Sequence, residues 1–199
     1  MKKTLSSLLA FGMLAISTVA SAVPIDGGVA FGTAPGGTWT PTGGANALDV
    51  AGATGVAFSN TLTPGADEGV VTSATGTFAG SDGTTTDFMN FVFNPLTAGT
   101  QLWQFTYNGT TFQLFMDTSN ILVQTNTQIG LHGLGTLTAT GFDNTVGSWD
   151  LTLNKNGNGA NAVFSFSSGA ATVPEPGVML LLGAALIGVG ATRKFRKSA

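Results

Sequence analysis

The sequence predicts an all-β body, an antiparallel β-sandwich of jelly-roll or immunoglobulin-like form, between an N-terminal signal helix and a C-terminal single transmembrane helix. Three observations carry this reading. Apolar residues in the middle of the chain alternate with polar ones at a period of two, which puts one face of each segment inward. Gly, Asn and Pro interrupt these segments at short intervals, 29 of the 199 residues being Gly, as many short strands joined by turns require. No window between the glycines sustains the three-and-four spacing of an amphipathic helix.

In chain order, Met1-Lys2-Lys3 is a positive start, residues 5–19 are apolar with Ser and Thr among them, and Ala20-Ser21-Ala22 places small residues at the −3 and −1 positions of a peptidase site. That is the layout of a secretory signal cleaved after Ala22. Residues 23–44 hold seven glycines and three prolines and read as an irregular lead-in. The body is expected at 45–167, with strands at 48–51, 56–59, 69–73, 75–79, 88–93, 120–125 and 134–140, and a linker at 168–173.

Two hairpins are the clearest local features. Trp103, Phe105 and Tyr107 alternate with Gln104 and Thr106; Asn108-Gly109 follows; Phe112, Leu114 and Met116 alternate after it. Asn-Gly is the favoured pair for a type I′ turn, whose two central residues need positive φ. The second hairpin alternates Trp149, Leu151 and Leu153, turns through residues 155–159 and returns with Ala162, Phe164 and Phe166. Trp103 and Trp149 therefore read as core.

Charge is sparse and segregated. Only 9 % of residues are charged. Lys2 and Lys3 open the chain and Arg193, Lys194, Arg196 and Lys197 close it. From 23 to 172 nine Asp and Glu face Lys155 alone, a net of −8. Such a body has no basic surface with which to neutralise phosphates, so nucleic acid is excluded as a partner. The absence of cysteine removes thiolate chemistry, Cys-zinc sites and disulfides. The body must hold itself by its core, and about 150 residues suffice for one domain.

The C-terminal segment begins Val173-Pro174-Glu175-Pro176-Gly177, continues through 178–191 without a charge, and closes on Arg193, Lys194, Arg196 and Lys197. As a helix the uncharged run rises only about 21 Å, short of a hydrocarbon core of about 30 Å. The flanks decide in favour of a span at 177–192, because prolines set its entry and a cation cluster its cytoplasmic end, with Arg193 able to snorkel. A Val-Pro-Glu-Pro motif, an immediate Gly-rich apolar run and a terminal basic cluster together resemble the PEP-CTERM sorting signal of exopolysaccharide-producing Gram-negative bacteria. The same tail also carries the name ice-binding protein C-terminal domain, which describes the tail and not the body.

The resemblance implies Val173, Pro174, Glu175 and Pro176 as the recognition motif and the basic cluster as the stop. It also implies an exosortase that removes the tail, and transfer of the body to the cell surface or matrix. The segment 133–149 with Phe164-Ser165-Phe166-Ser167 resembles, more loosely, the closing strands of one group of PEP-CTERM bodies. That likeness bears on architecture only.

Few residue types in the body can carry catalysis. His132, the only imidazole, lies in a glycine-rich stretch that reads as a flexible strand edge, and no Gly-x-Ser-x-Gly elbow accompanies it. Glu68, the only glutamate between 23 and 172, adjoins Asp67; with Asp82 and Asp87 these acids fall in polar, solvated stretches that do not suit paired-carboxylate hydrolysis. Calcium is the one metal to consider, through Asp82, Asp117, Asn120 and Asp143, since hard oxygen ligands suit β-sandwich loops; the same residues also serve turns without any ion. Threonine pairs recur at 38/40/42, 61/63, 75/77, 125/127 and 136/138/140, but without the fixed repeat that a solenoid ice-binding plane needs. Trp39, in the lead-in, is the candidate for stacking on sugar rings. Asn108-Gly109-Thr110 fits a glycosylation sequon, though the turn explains it better.

Together these features predict a non-enzymatic protein of the cell surface or extracellular matrix, exported by the Sec translocon and signal peptidase, held transiently in the inner membrane, and cut by exosortase. Its role is expected to be structural, adhesive or associated with exopolysaccharide, as in biofilm. The alternative is a carbohydrate- or calcium-dependent binding module on a retained anchor.

Overall fold

The computed structural model describes residues 23–45, 49–156 and 159–168, with side chains as far as Lys155. The expected signal segment 1–22, the centre of the second hairpin turn, the end of the linker and the sorting segment lie outside these residues. Among the described residues no helix is long and apolar enough to cross a membrane; the expected span at 177–192 lies beyond them.

The strands are β1 (Val23–Pro24), β2 (Gly27–Thr33), β3 (Gly37–Thr42), β4 (Gly55–Asn60), β5 (Gly69–Ala74), β6 (Thr85–Phe88), β7 (Phe91–Val92), β8 (Thr100–Tyr107), β9 (Thr110–Met116), β10 (Asn120–Gln124), β11 (Gln128–Ala139), β12 (Phe142–Asp143), β13 (Thr145–Asn156) and β14 (Gly159–Ser168). One 3₁₀ turn, Gly76–Phe78, lies between β5 and β6. The class is all-β as expected, and every pairing is antiparallel except the two-residue β1–β12 bridge.

The main sheet runs β10-β11-β13-β14-β2-β5-β6-β8-β9, and β9 pairs back onto β11. Eight strands from β11 round to β9 thus form a continuous ladder. The long β11 makes this closure work. Its residues 135–139 pair with β9, and its residues 129–132 pair with β10 on the same edge. A closed ladder leaves few unpaired strand edges. The smaller sheet, β3-β4-β7, packs on the larger one through Phe58 against Phe88, their ring centroids 5.3 Å apart.

Both hairpins form. Asn108 has φ 50° and Gly109 φ 78°, the two positive angles of the expected turn, and Tyr107 pairs with Thr110 across it. Phe112, Leu114 and Met116 point inward. In β8 both Leu102 and Trp103 are buried, which strict alternation forbids. A register shift between Gln101 and Trp103 inserts one residue and lets two neighbours turn inward. In the second hairpin Asn156 pairs with Gly159, so the strands run nearer the tip than the composition of 155–159 indicated.

The core is aromatic. Phe31 lies 4.8 Å from Trp103, 5.7 Å from Phe105 and 5.9 Å from Phe88, centroid to centroid, spacings typical of favourable aromatic pairs. Phe105 stacks on Phe112 at 5.2 Å, and Phe78 reaches Phe112 at 5.1 Å. Trp149 fills the space across from Gly133 and Gly135, where a Cβ at 133 would meet the Thr118 carbonyl and the Trp149 ring. Its indole N–H donates to the Leu134 carbonyl at 3.0 Å.

Several expectations are corrected. The lead-in is not irregular: it carries β2 and β3, with Val29 and Phe31, then Trp39 and Pro41, turned inward at alternate positions. Glycine and proline hid this alternation, because the polar face of β3 is threonine and its apolar face includes Pro41. The expected strand at 48–51 does not form among the described residues: Val50 bends and Ala51 and Gly52 turn, while Asp49 uses both carboxylate oxygens on backbone N–H groups of Ala45 and Gly52. The expected strand at 75–79 is the 3₁₀ turn. The expected strand at 88–93 is broken into β6 and β7 by Met89 and Asn90, where Asn90 accepts a 2.7 Å bond from the Phe58 N–H. β14 runs through Ser168, one residue into the expected linker.

Two substitutions test this account. Trp39→Ala, at a side chain 1 % exposed, should destabilise the protein by about 3–5 kcal/mol in urea unfolding. Gly109→Ala should cost about 1 kcal/mol for holding a Cβ at positive φ, with no neighbour to clash; an unchanged midpoint would contradict the turn geometry.

Candidate functional site

Trp39 is not available to a sugar ring. β3 turns it inward, and its indole N–H donates to the Asn154 carbonyl on β13 at 3.3 Å. The tryptophan joins the small sheet to the large one, so its role is packing.

His132 is not on a flexible edge. It sits within β11, paired with Asn120 of β10 on one side and Asp150 of β13 on the other. Its Nδ1 lies 2.8 Å from Asp150 Oδ1, with the two side chains 42 % and 54 % exposed. A carboxylate orienting an imidazole is half of a catalytic arrangement, but the pair lies open to solvent.

The acids are not all solvated. Glu68 is 4 % exposed, and its Oε2 accepts from the Phe88 N–H at 3.2 Å. Asp87 Oδ1 accepts from the Asp67 N–H at 2.9 Å, and its Oδ2 from Gln104 Nε2 at 3.2 Å. Asp67 has φ 57°, and the Asn60 amide clasps its carbonyl at 2.6 Å. These acids tie the loop before β5 to β6, a structural use of carboxylates that polar neighbours in sequence concealed. The readable signal was in Thr85-Thr86-Asp87-Phe88, where Asp87 must face away from Phe88.

The calcium candidates are scattered among different elements. Asp117 is half-buried after β9 and its Oδ2 accepts from Thr136 Oγ1 at 2.7 Å. Asn120 opens β10, Asp143 lies exposed in β12, and Asp82 is exposed in the turn before β6. Among the described residues no group of three or more His, Asp or Glu is placed to hold a metal.

Most threonine pairs are likewise structural. Thr75 Oγ1 and Thr77 Oγ1 accept from the N–H groups of Gly28 and Asp26 at 2.9 and 3.0 Å. Thr61 donates to the Gly36 carbonyl, Thr63 to the Ala66 carbonyl, and Thr125 caps the turn before β11. Only 38/40/42 and 136/138 lie on strands.

With the body described, the functional signal that remains is the tail. Residues 172–197 match the family model for the PEP-CTERM protein-sorting motif, which contains Val173, Pro174, Glu175, Pro176 and the cluster Arg193, Lys194, Arg196 and Lys197. The match bears out the resemblance of the tail and marks the chain for exosortase processing and export toward the cell surface. No curated protein and no solved structure matches the chain.

The exposed His132–Asp150 pair gives a direct check. His132→Ala should change stability by less than about 1 kcal/mol, the scale of exposed side-chain pairs; a larger loss in thermal unfolding would mean that the pair does more than decorate the surface.

Proposed function

We propose, from the PEP-CTERM sorting motif that the chain carries, that this is a non-catalytic surface or matrix protein. Its β-sandwich-like body is delivered by the secretory route, held briefly in the inner membrane by residues 177–192, and freed when an exosortase cuts at Pro174-Glu175-Pro176. The role of the freed body is structural or adhesive, in association with polysaccharide. The single observation that carries the reading is the motif match at 172–197.

The body's chemistry supports a binding role over a catalytic one. Its carboxylates at 68 and 87 are engaged with backbone and amide partners, and its only imidazole is exposed beside one carboxylate. With nine acids and one cation from 23 to 172, the body is repelled by polyanions and stays soluble in a hydrated matrix.

Intact-mass analysis of protein from cells and from medium tests the sorting step. The expected mass is that of a chain lacking the signal segment and ending near Pro176, with any added sugar on top. Pro174→Ala combined with Glu175→Ala should leave the tail attached and the protein in the membrane fraction. A wild-type mass extending to Ala199 in both fractions would replace release with a retained anchor.

A further inference from the structure

We propose that the outer face of β6, β8, β9 and β11 is a glycan-binding plate for an uncharged polysaccharide, a reading that deepens the polysaccharide association proposed above and rests on it. Register places Asp87, Gln104, Gln113 and Thr138 side by side on four adjacent strands. The neighbouring row is Gln101, Phe115 and Thr136. With strands about 4.8 Å apart, the first row spans about 14 Å, room for a short run of sugar rings lying across the strands.

The amides are held in place before any ligand arrives. Gln104 Oε1 accepts from Gln101 Nε2 at 3.0 Å and from Gln113 Nε2 at 3.1 Å, while Gln104 Nε2 donates to Asp87 at 3.2 Å. Asp117 fixes the Thr136 hydroxyl at 2.7 Å. This ladder uses one N–H each of Gln101 and Gln113 and leaves their side-chain amide oxygens without a donor among the described residues. Planar amides with free acceptors and donors suit the paired hydroxyls of a sugar, and their prior ordering lowers the entropic cost of binding.

Phe115 supplies the apolar part. The inward residues of β9 are Phe112, Leu114 and Met116, so Phe115 is the aromatic that points the other way, half-buried among the polar rows. It makes no ring contact with another aromatic among the described residues. A ring set between an amide and a hydroxyl offers a stacking surface for the C–H face of a pyranose.

Charge and composition select the ligand. Asp87 and the acidic body disfavour a polyanion. None of the large exposed apolar side chains, which include Leu122, Leu134 and Val146, lies in these two rows, whereas a protein partner would require an apolar centre to its interface.

The test is affinity electrophoresis of the full chain in detergent, through gels containing dextran, a soluble β-1,3-glucan, a soluble β-1,4-glucan or, as the polyanion, alginate. At least one neutral glucan should retard the protein and alginate should not. Gln113→Ala should weaken that retardation about fivefold, the loss of one neutral hydrogen bond, and Phe115→Ala should weaken it further. Gln101→Ala serves as a second surface variant, with thermal unfolding to confirm that each variant is folded. Retardation that persists unchanged in folded Gln113→Ala and Gln101→Ala would overturn the plate and leave the polysaccharide association standing. Retardation in none of the four gels would overturn both, and retardation by alginate alone would overturn the plate for an uncharged glycan while leaving polysaccharide association standing.

Discussion

Phe31 is fully buried, and the rings of Phe88, Trp103 and Phe105 surround it within 6 Å. These rings come from β2, β6 and β8; β6 and β8 pair directly, and β5 alone lies between β6 and β2. Their contact ties this arc of the eight-stranded ladder together from inside. No disulfide can share this work, because the chain has no cysteine. Burial of apolar area, aromatic and aliphatic together, is therefore the main stabilising term available to the body. The closure of β9 onto β11 depends on it, since a ladder closes only if its interior is filled.

Filling the interior with rings leaves the outside free to vary. The outward positions are mostly Thr, Ser, Gln and Asn, with few charges, and many of the hydroxyls and amides bond to one another or to nearby backbone. Thr106 Oγ1 meets Thr111 Oγ1 across β8 and β9 at 2.8 Å, and the Gln101-Gln104-Gln113 ladder lies on the same face. Such cross-strand pairs add modest stability and present an ordered, nearly neutral surface. The tail carries the sorting signal; these faces are what the body presents to solvent.

Much of this was legible from residue order. Alternation at period two marked both hairpins, and Asn108-Gly109 marked a turn whose positive φ values the structure shows. Trp103 and Trp149 were legible as core for the same reason. Where the pattern was hidden, the cause was local composition. In β3, Thr38, Thr40 and Thr42 alternate with Trp39 and Pro41, and the surrounding glycines made that alternation look like loop. In β8 a bulge shifts the phase at Leu102, which no fixed period can anticipate.

The sequence by itself determined the sorting tail, the all-β class, the sparse and acidic charge of the body and the absence of cysteine, because each of these depends on residue type and short-range order. Only the tertiary structure decided that Trp39 is buried, that Glu68 lies inside, that His132 meets Asp150, and that Gln101, Gln104, Gln113 and Asp87 share one face. Those facts depend on register between strands. A shift of one residue in pairing sends every side chain of a strand to the opposite face, and register here is set by bulges and by the fit of rings within the closed ladder, contacts that join residues far apart in the chain.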